Sequence, residues 1–257
     1  MITRVLHVTE ACRVAGTERA LLMLLDHADR TQFEHVVVCR GRSGLAQEVE
    51  ARGFRTVTIP RMGKLDPLAL ARFVNVLVCE KPDIVHIHGG RLEAAAAWAL
   101  GVPVVERKNV DRNEFYRPLV PARWADRLLS RFVKASIVPA RALVARYGAR
   151  GCDTSRFHVI YNGVEPAPPR SARRLERLRQ SLVTREGSFL VAFAGRLEPV
   201  KGVDVLLRAM AILPQRAACL IAGDGPHRAE YETLVDDLAL GNRVRFLGYR
   251  RDIREIF

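Results

Sequence analysis

Short β-branched runs recur along the first part of the chain, at Arg4–Val8, His35–Cys39, Phe54–Ile59, Asp83–Ile87, Val102–Val105 and Ala135–Val138. Several are apolar throughout instead of alternating, the pattern of parallel strands covered on both faces. The segments between them have helical spacing. Thr17 precedes Glu18–Ala28, whose apolar positions crowd one side. Asp66-Pro67 supplies an N-cap followed by proline at the first helical position, and the apolar pattern runs on to Val78. Strand alternating with helix at this rhythm predicts a doubly wound α/β domain.

A strand over Phe157–Tyr161 ends in the turn signal Asn162-Gly163, and Pro166, Pro168 and Pro169 follow. A basic helix is expected from about Ser171 to Val183. These features divide the chain into 1–165 and 166–257. The second part repeats the pattern with strands at Phe189–Ala194, Ala217–Ala222 and Val244–Leu247 and helices at Val203–Leu213 and Pro226–Leu240. A further helix begins near Asp252 and the sequence stops at Phe257, so this half is expected to be an incomplete doubly wound sheet. The predicted fold class is α/β, with two Rossmann-like parallel-sheet domains, the second incomplete.

Composition adds limits. Apolar types make up 49% and charged types 27% of the 257 residues, which excludes a disordered chain. Lys and Arg number 41 against 28 acidic residues, a net charge of +13, yet only five of the cations are Lys. Nine basic and three acidic side chains fall within 109–150. Cys12, Cys39, Cys79, Cys152 and Cys219 are far apart and form no CxxC pair. That spacing argues against a zinc site and against a disulfide framework, and fits a reducing cytoplasm. Met1-Ile2-Thr3-Arg4 runs directly into a strand, so no signal peptide is expected. The longest apolar run, Ala94–Val105, is broken by Gly101 and Pro103 and is too short to cross a bilayer. The expected location is cytoplasmic, soluble or peripheral on a membrane.

Candidate chemistry lies where strands end. Gly195-Arg196-Leu197 follows a strand and Lys201-Gly202 opens the next helix. Two cations beside a helix N-terminus suit a diphosphate, although a surface loop carrying Arg and Lys is also to be expected in so arginine-rich a chain. Gly223 and Gly225 end the following strand, where they serve either a ligand approaching the backbone or only a tight turn. Gly16 and Glu18 lie between the first strand and first helix. His86 and His88 alternate at a strand end ahead of Gly89-Gly90, but no third metal ligand is near in sequence. No metal site is expected; one packed, hydrogen-bonded histidine is the plainer reading. Residues 121–134 read as a basic amphipathic helix, with Trp124, Leu128 and Phe132 four apart beside Arg123, Arg127 and Arg131. It fits either an anionic membrane surface or, as favoured here, packing on its own sheet with the arginines solvated.

Each signal is weak singly, but their order is similar to that of the family 4 (group 1) nucleotide-sugar glycosyltransferases of the two-domain GT-B type. The resemblance covers essentially the whole chain. It rests on Gly16-x-Glu18, Asp83-Ile84-Val85-His86-Ile87-His88, Val159-Ile160-Tyr161-Asn162-Gly163-Val164-Glu165, Gly195-Arg196-Leu197 with Lys201-Gly202, Gly223-Asp224-Gly225-Pro226 and Asn242–Gly248. Arg196 and Lys201 at this spacing are the specific part. The resemblance implies retaining transfer of a sugar from a UDP- or GDP-linked donor to a glycan or lipid-linked acceptor in cell-surface polysaccharide or glycolipid synthesis. No cofactor or metal is implied. Arg196 and Lys201 would act on the leaving diphosphate, and Gly195, Gly223 and Gly225 would border the donor. Gly16, Glu18, His86, His88 and Asn109 would lie on the acceptor side. Three departures stand out. Ala15-Gly16 replaces two glycines, Asn109 stands where many members have histidine, and the family's E-x7-E segment would follow Phe257.

Other classes remain in view. An inactive nucleotide- or acceptor-binding paralogue or fragment fits the abrupt stop, and a nucleotide-sugar epimerase can share the architecture. A dehydrogenase is disfavoured because no G-x-G-x-x-G follows the first strand. Nucleic acid is not an expected partner, since the net charge comes with no recognisable module.

Overall fold

The computed structural model describes residues 2–9, 16–41, 43–60, 66–88, 91–108, 130–164, 180, 189–250 and 252–253. The chain divides into two compact units, Met1–Val164 and Glu165–Phe257. The predicted basic helix from Ser171 lies outside the described residues apart from Gln180, and the helix expected near Asp252 is described only at 252–253.

Unit 1 is built on strands β1 (Thr3–Val8), β2 (Phe33–Arg40), β3 (Arg55–Ile59), β4 (Ile84–Ile87), β5 (Val104–Arg107), β6 (Ala135–Val138) and β7 (Phe157–Val159). All pair in parallel, in the order β3-β2-β1-β4-β5-β6-β7. The helices are α1 (Gly16–Asp26), α2 (Gly44–Glu50), α3 (Pro67–Glu80), α4 (Arg91–Ala99) and α5 (Arg141–Ala149). Strand alternation sorts the core into two layers. Leu6, Val8, Val36, Val38, Val85 and Ile87 bury against Phe73, Val76 and Leu77 of α3 and Ala94 and Ala97 of α4. Val37 and Cys39 point the other way, onto Leu21, Leu22 and Leu25 of α1 and Leu45, Ala46 and Val49 of α2. That doubly wound arrangement explains why the strands read as apolar on both faces.

Local chemistry sets the element ends. The Asp66 carboxylate accepts from the backbone N–H of Leu68 at 2.9 Å and Ala69 at 3.4 Å, with Pro67 at the first position, so α3 starts where the sequence placed it. The α3 helix ends at Lys81 in the left-handed conformation, φ 48°. Strand β5 begins two residues later than expected. Gly101, at φ 75°, and Pro103, which has no N–H to donate, keep the approach irregular until Val104. Helix α1, expected from Glu18, begins two residues earlier, so Gly16 and Thr17 lie in its first turn with Glu18. The expected helix over 121–134 does not reach its predicted end. Ser130–Phe132 is a single 3-10 turn, Val133 and Lys134 are irregular and β6 starts at Ala135; 109–129 lie outside the described residues.

Unit 2 holds β8 (Phe189–Ala194), β9 (Ala217–Ala222) and β10 (Val244–Gly248), parallel in the order β10-β9-β8, with helices α6 (Val203–Ile212) and α7 (Arg228–Asp237). Leu197, Leu207, Met210, Ile221, Tyr231 and Leu240 lie in its core. Helix α7 is shorter than the predicted Pro226–Leu240. Ala239 turns into φ 53°, which closes the Leu240 N–H on Val235 O at 2.9 Å and buries the Leu240 side chain. Arg243 is buried and takes no carboxylate partner among the described residues. Its guanidinium donates to Ala217 O at 3.0 Å, Met210 O at 2.9 Å and Leu213 O at 3.1 Å. It thus satisfies carbonyls at the C-terminal end of α6, where the helix dipole favours a cation.

Candidate functional site

In unit 2 the strand exits carry the charged turn. Gly195 and Arg196 leave β8, and Glu198 leads into a 3-10 turn over Pro199–Lys201. Gly202, in the left-handed conformation at φ 66°, connects this turn to α6 and accepts at its carbonyl from Leu206 N at 3.0 Å. Lys201 therefore sits immediately before a helix N-terminus and is exposed. Arg196 is also exposed, and its Nη1 donates to Glu198 Oε1 at 3.0 Å. Sequence reasoning missed Glu198, whose acidity between two cations was visible but whose reach back to Arg196 needs the turn.

The glycines at 223 and 225 have a structural use. Gly195 N donates to Ala222 O at 3.0 Å, and Leu197 N to Asp224 O at 3.1 Å, so the exits of β8 and β9 lie backbone against backbone. A Cβ on Gly225 would stand 2.5 Å from Leu197 O and 2.7 Å from Leu197 N; one on Gly223, at φ 143°, would fall onto Gly195 O. The space left by both missing side chains is filled by the neighbouring turn. Gly223→Ala is expected to destabilise unit 2 by about 3 kcal/mol, combining overpacking with a backbone angle that alanine disfavours. Urea unfolding followed by fluorescence or circular dichroism checks this, and an unchanged midpoint would mean that the two turns can part freely.

In unit 1, four histidines share the sheet face that carries α1 and α2. His7 of β1 is in register with His86 of β4 and with Val37 of β2. His88 follows β4, its N–H bonded to Val8 O at 2.8 Å, and its ring centroid is 4.2 Å from that of His86. His7 Nε2 lies 2.9 Å from His35 Nδ1, and His7 Nδ1 lies 3.4 Å from His88 Nε2. All four are buried. His35 Nε2, His86 Nε2 and His88 Nδ1 have no hydrogen-bond partner among the described residues. The sequence pointed to His86 and His88 and expected one packed histidine; both are packed, and His7 supplies the third ligand-capable ring that is distant in sequence. One cue to it was present: a histidine interrupting the otherwise apolar run Val5–Val8.

Burial is the main cause of low basicity here. It holds His7 well below the usual imidazole range, helped by His86, His88 and His35. Burial lowers His86 to about 4, with Arg107 and His35 adding to it. The same cause, then His86 and Arg107, depresses His88. His35 is lowered by burial and then by Arg30. All four rings are thus neutral at pH 7. Arg107, half-buried on β5, donates to the Asn162 side-chain oxygen, so the Asn162-Gly163 segment is tied to the strand beside this cluster.

The remaining expected residues are placed as follows. Gly16 opens α1, where a Cβ would meet nothing within 4 Å among the described residues. Glu18 is buried in the same turn. Asn109, Arg123 and Arg127 lie outside the described residues. Arg131 is exposed and borders a pocket of ≈ 400 Å³ with Ser136, Asp153 and Arg156, at the N-terminal end of β6 and β7. Phe132 beside it packs at a tilt against Trp98 of α4, with centroids 4.9 Å apart and ring planes at 58°. Among the described residues no helix is long and apolar enough to cross a membrane.

Ligands of open α/β sheets bind outside the carboxyl ends of the strands, where strand order reverses. In unit 1 that point lies between β1 and β4, beside His7, His86 and His88. Comparison with known proteins decides the family. The model described as "Glycosyltransferase Family 4" matches residues 14–168, and "Glycosyl transferases group 1" matches residues 175–257. The chain belongs to the family 4, group 1 glycosyltransferases. Within the family it is 26% identical to EpsF of Bacillus subtilis, a protein named as a glycosyltransferase, over 98% of this chain and 70% of that one. It is 38% identical to the D-inositol 3-phosphate glycosyltransferase of Mycolicibacterium smegmatis, over 46% of this chain and 27% of the relative. HepE of Anabaena, solved in complex with UDP, has a TM-score of 0.83 at 22% identity, covering 99% of this chain and 71% of HepE. The fold is thus that of GT-B glycosyltransferases.

Proposed function

We propose that this family member transfers a sugar, with retention at the anomeric carbon, from a nucleoside diphosphate sugar to a glycan or lipid-linked acceptor. The observation that carries the reading is the turn of unit 2, where Arg196 and Lys201 flank a helix N-terminus at the strand exits. Negative charge builds on the diphosphate as the glycosidic bond breaks. Two fixed cations and the dipole end of α6 would oppose it, a preorganised electrostatic contribution. Glu198 holds one arm of the Arg196 guanidinium and so orients the rest of the fork towards a phosphate. The structure of HepE with UDP-glucose supports a nucleotide-sugar donor; the nucleotide is proposed to be UDP or GDP, the latter after a GDP-mannose-dependent alpha-mannosyltransferase of Corynebacterium glutamicum that is 25% identical.

On the acceptor side, Gly16, Glu18, His86, His88 and Asn109 are assigned to unit 1. Glu18, His86 and His88 are buried, so they would shape the acceptor surface instead of lying on it. Arg123, Arg127 and Arg131 are assigned to an anionic membrane face for lipid-linked acceptors. Liposome sedimentation tests that part: equal binding with neutral and anionic vesicles would remove it.

Incubating the protein with UDP- and GDP-linked sugars and candidate acceptors, with NMR of the products, tests the transfer. Release of a nucleoside diphosphate with an anomerically retained product is expected. An inverted sugar stereocentre without transfer would favour an epimerase. Saturable nucleotide binding without turnover would favour a binding paralogue or fragment.

A further inference from the structure

We propose that His7, His86 and His88 bind a divalent transition-metal ion of the zinc type, linking β1 to β4, with His35 as a positioning residue behind His7. This inference is independent of the donor chemistry of unit 2.

Geometry carries it. One ring nitrogen from each of the three lies within 4.8 Å of the other two. Tetrahedral zinc with nitrogen ligands at about 2.0–2.1 Å sets those nitrogens roughly 3.3 Å apart. His7 Nδ1 and His88 Nε2, at 3.4 Å, already have that separation. No pair needs to close by more than roughly 1.5 Å, within the reach of ring rotation. The 2.9 Å contact between His7 Nε2 and His35 Nδ1 places one proton between the two rings, and metal binding through His7 Nδ1 requires that proton on His7 Nε2. With the proton on His7 Nε2 and donated to His35, His7 Nδ1 presents a bare lone pair towards His88. This is the outer hydrogen bond that metal-binding histidines regularly make.

The metal-free cluster is also poorly satisfied. His86 Nε2 and His88 Nδ1 are buried with no partner among the described residues, in residues only 7% exposed. Few histidines are buried this way without an occupant or a compensating bond. Ligation through His7 Nδ1 and His88 Nε2 leaves His88 Nδ1 carrying its ring's proton, so His86 Nε2 is the idle atom that a metal would use; the rings are already neutral, and binding displaces no proton at pH 7. Three imidazoles and no carboxylate select Zn²⁺, Co²⁺, Ni²⁺ or Cu²⁺ over Mg²⁺ and Ca²⁺. Three protein ligands leave a fourth position for water or another oxygen ligand. Arg107, whose charge acts on His86 and His88, opposes a cation and is expected to hold affinity below that of closed structural zinc sites. The cysteine spacing that argued against zinc does not bear on an all-histidine set.

The test uses the chain stripped of metal by a chelator and titrated with Co²⁺. One equivalent is expected to bind with the intense visible absorption of tetrahedral cobalt, and Zn²⁺ should displace it. Replacing both His86 and His88 with Gln should abolish the signal. His35→Gln should weaken binding about 10- to 100-fold. His27→Gln, at an exposed histidine beyond α1, should leave it unchanged. Absence of stoichiometric binding, a pale octahedral spectrum, or binding that persists in a folded His86/His88 double variant would each overturn the proposal. Where a variant fails to fold, the wild-type spectrum and stoichiometry decide alone.

Discussion

Arg196→Ala or Lys201→Ala is expected to lower sugar transfer on the order of 100-fold or more while leaving the fold intact. Both side chains are exposed, and Arg196 has a carboxylate partner only in Glu198 among the described residues. Exposed ion pairs of this kind contribute little to stability, so thermal midpoints should move only slightly. A large loss in rate without a loss in melting temperature separates a role on the leaving diphosphate from a role in folding. The two effects should not add, because the cations act on the same developing charge. Glu198→Gln supplies a finer comparison, since it keeps the side-chain shape and removes the charge that pairs with Arg196. Near wild-type transfer by both alanine variants would remove this turn from the chemistry.

Unit 1 of the metal-free protein is expected to lose stability steeply between about pH 6.5 and pH 4. The sign follows from proton uptake. His7, His86 and His88 have native basicities depressed below that of an unfolded histidine, and His86 falls to about 4. Their contribution is complete above the unfolded value and is lost as falling pH protonates the unfolded chain first. A histidine that stays neutral in the native state throughout the window adds a slope of at most about 1.4 kcal/mol per pH unit, and all the depressed rings act in the same direction. Urea midpoints measured from pH 7.5 to 4 in the presence of a chelator check this. His86→Gln should flatten the profile, and a midpoint constant to pH 4 would contradict the buried neutral cluster.

The order of strands and helices was legible because its signals are local. Apolar runs gave β1, β6, β8 and β9 within a residue, and Asp66-Pro67 gave the start of α3. The family was legible because Gly195-Arg196-Leu197 and Lys201-Gly202 keep a spacing that survives without alignment. What escaped is what sheet register decides. His7 meets His86 only because β1 and β4 are neighbours across the order reversal, and His35 joins them from β2. Gly223 and Gly225 were visible as glycines, but the chain they accommodate is the turn at Gly195–Leu197, outside their own segment. Arg243 looked like part of a strand motif, while its work is on carbonyls of the chain before β9 and at β9's first residue.

The reversal of strand order also fixes a schedule for synthesis. Strand β1 is central, with β2 on one side and β4 on the other, and His88 is made 81 residues after His7. At translation rates of about 5–20 residues per second, β1 waits roughly 4–16 s for its second neighbour. During that interval β1, β2 and β3 can pair, but β1 presents an open apolar edge of the kind that invites pairing with another chain. Crowded or overexpressed nascent chains should therefore aggregate through β1 before β4 emerges, and the histidine face can only be assembled afterwards.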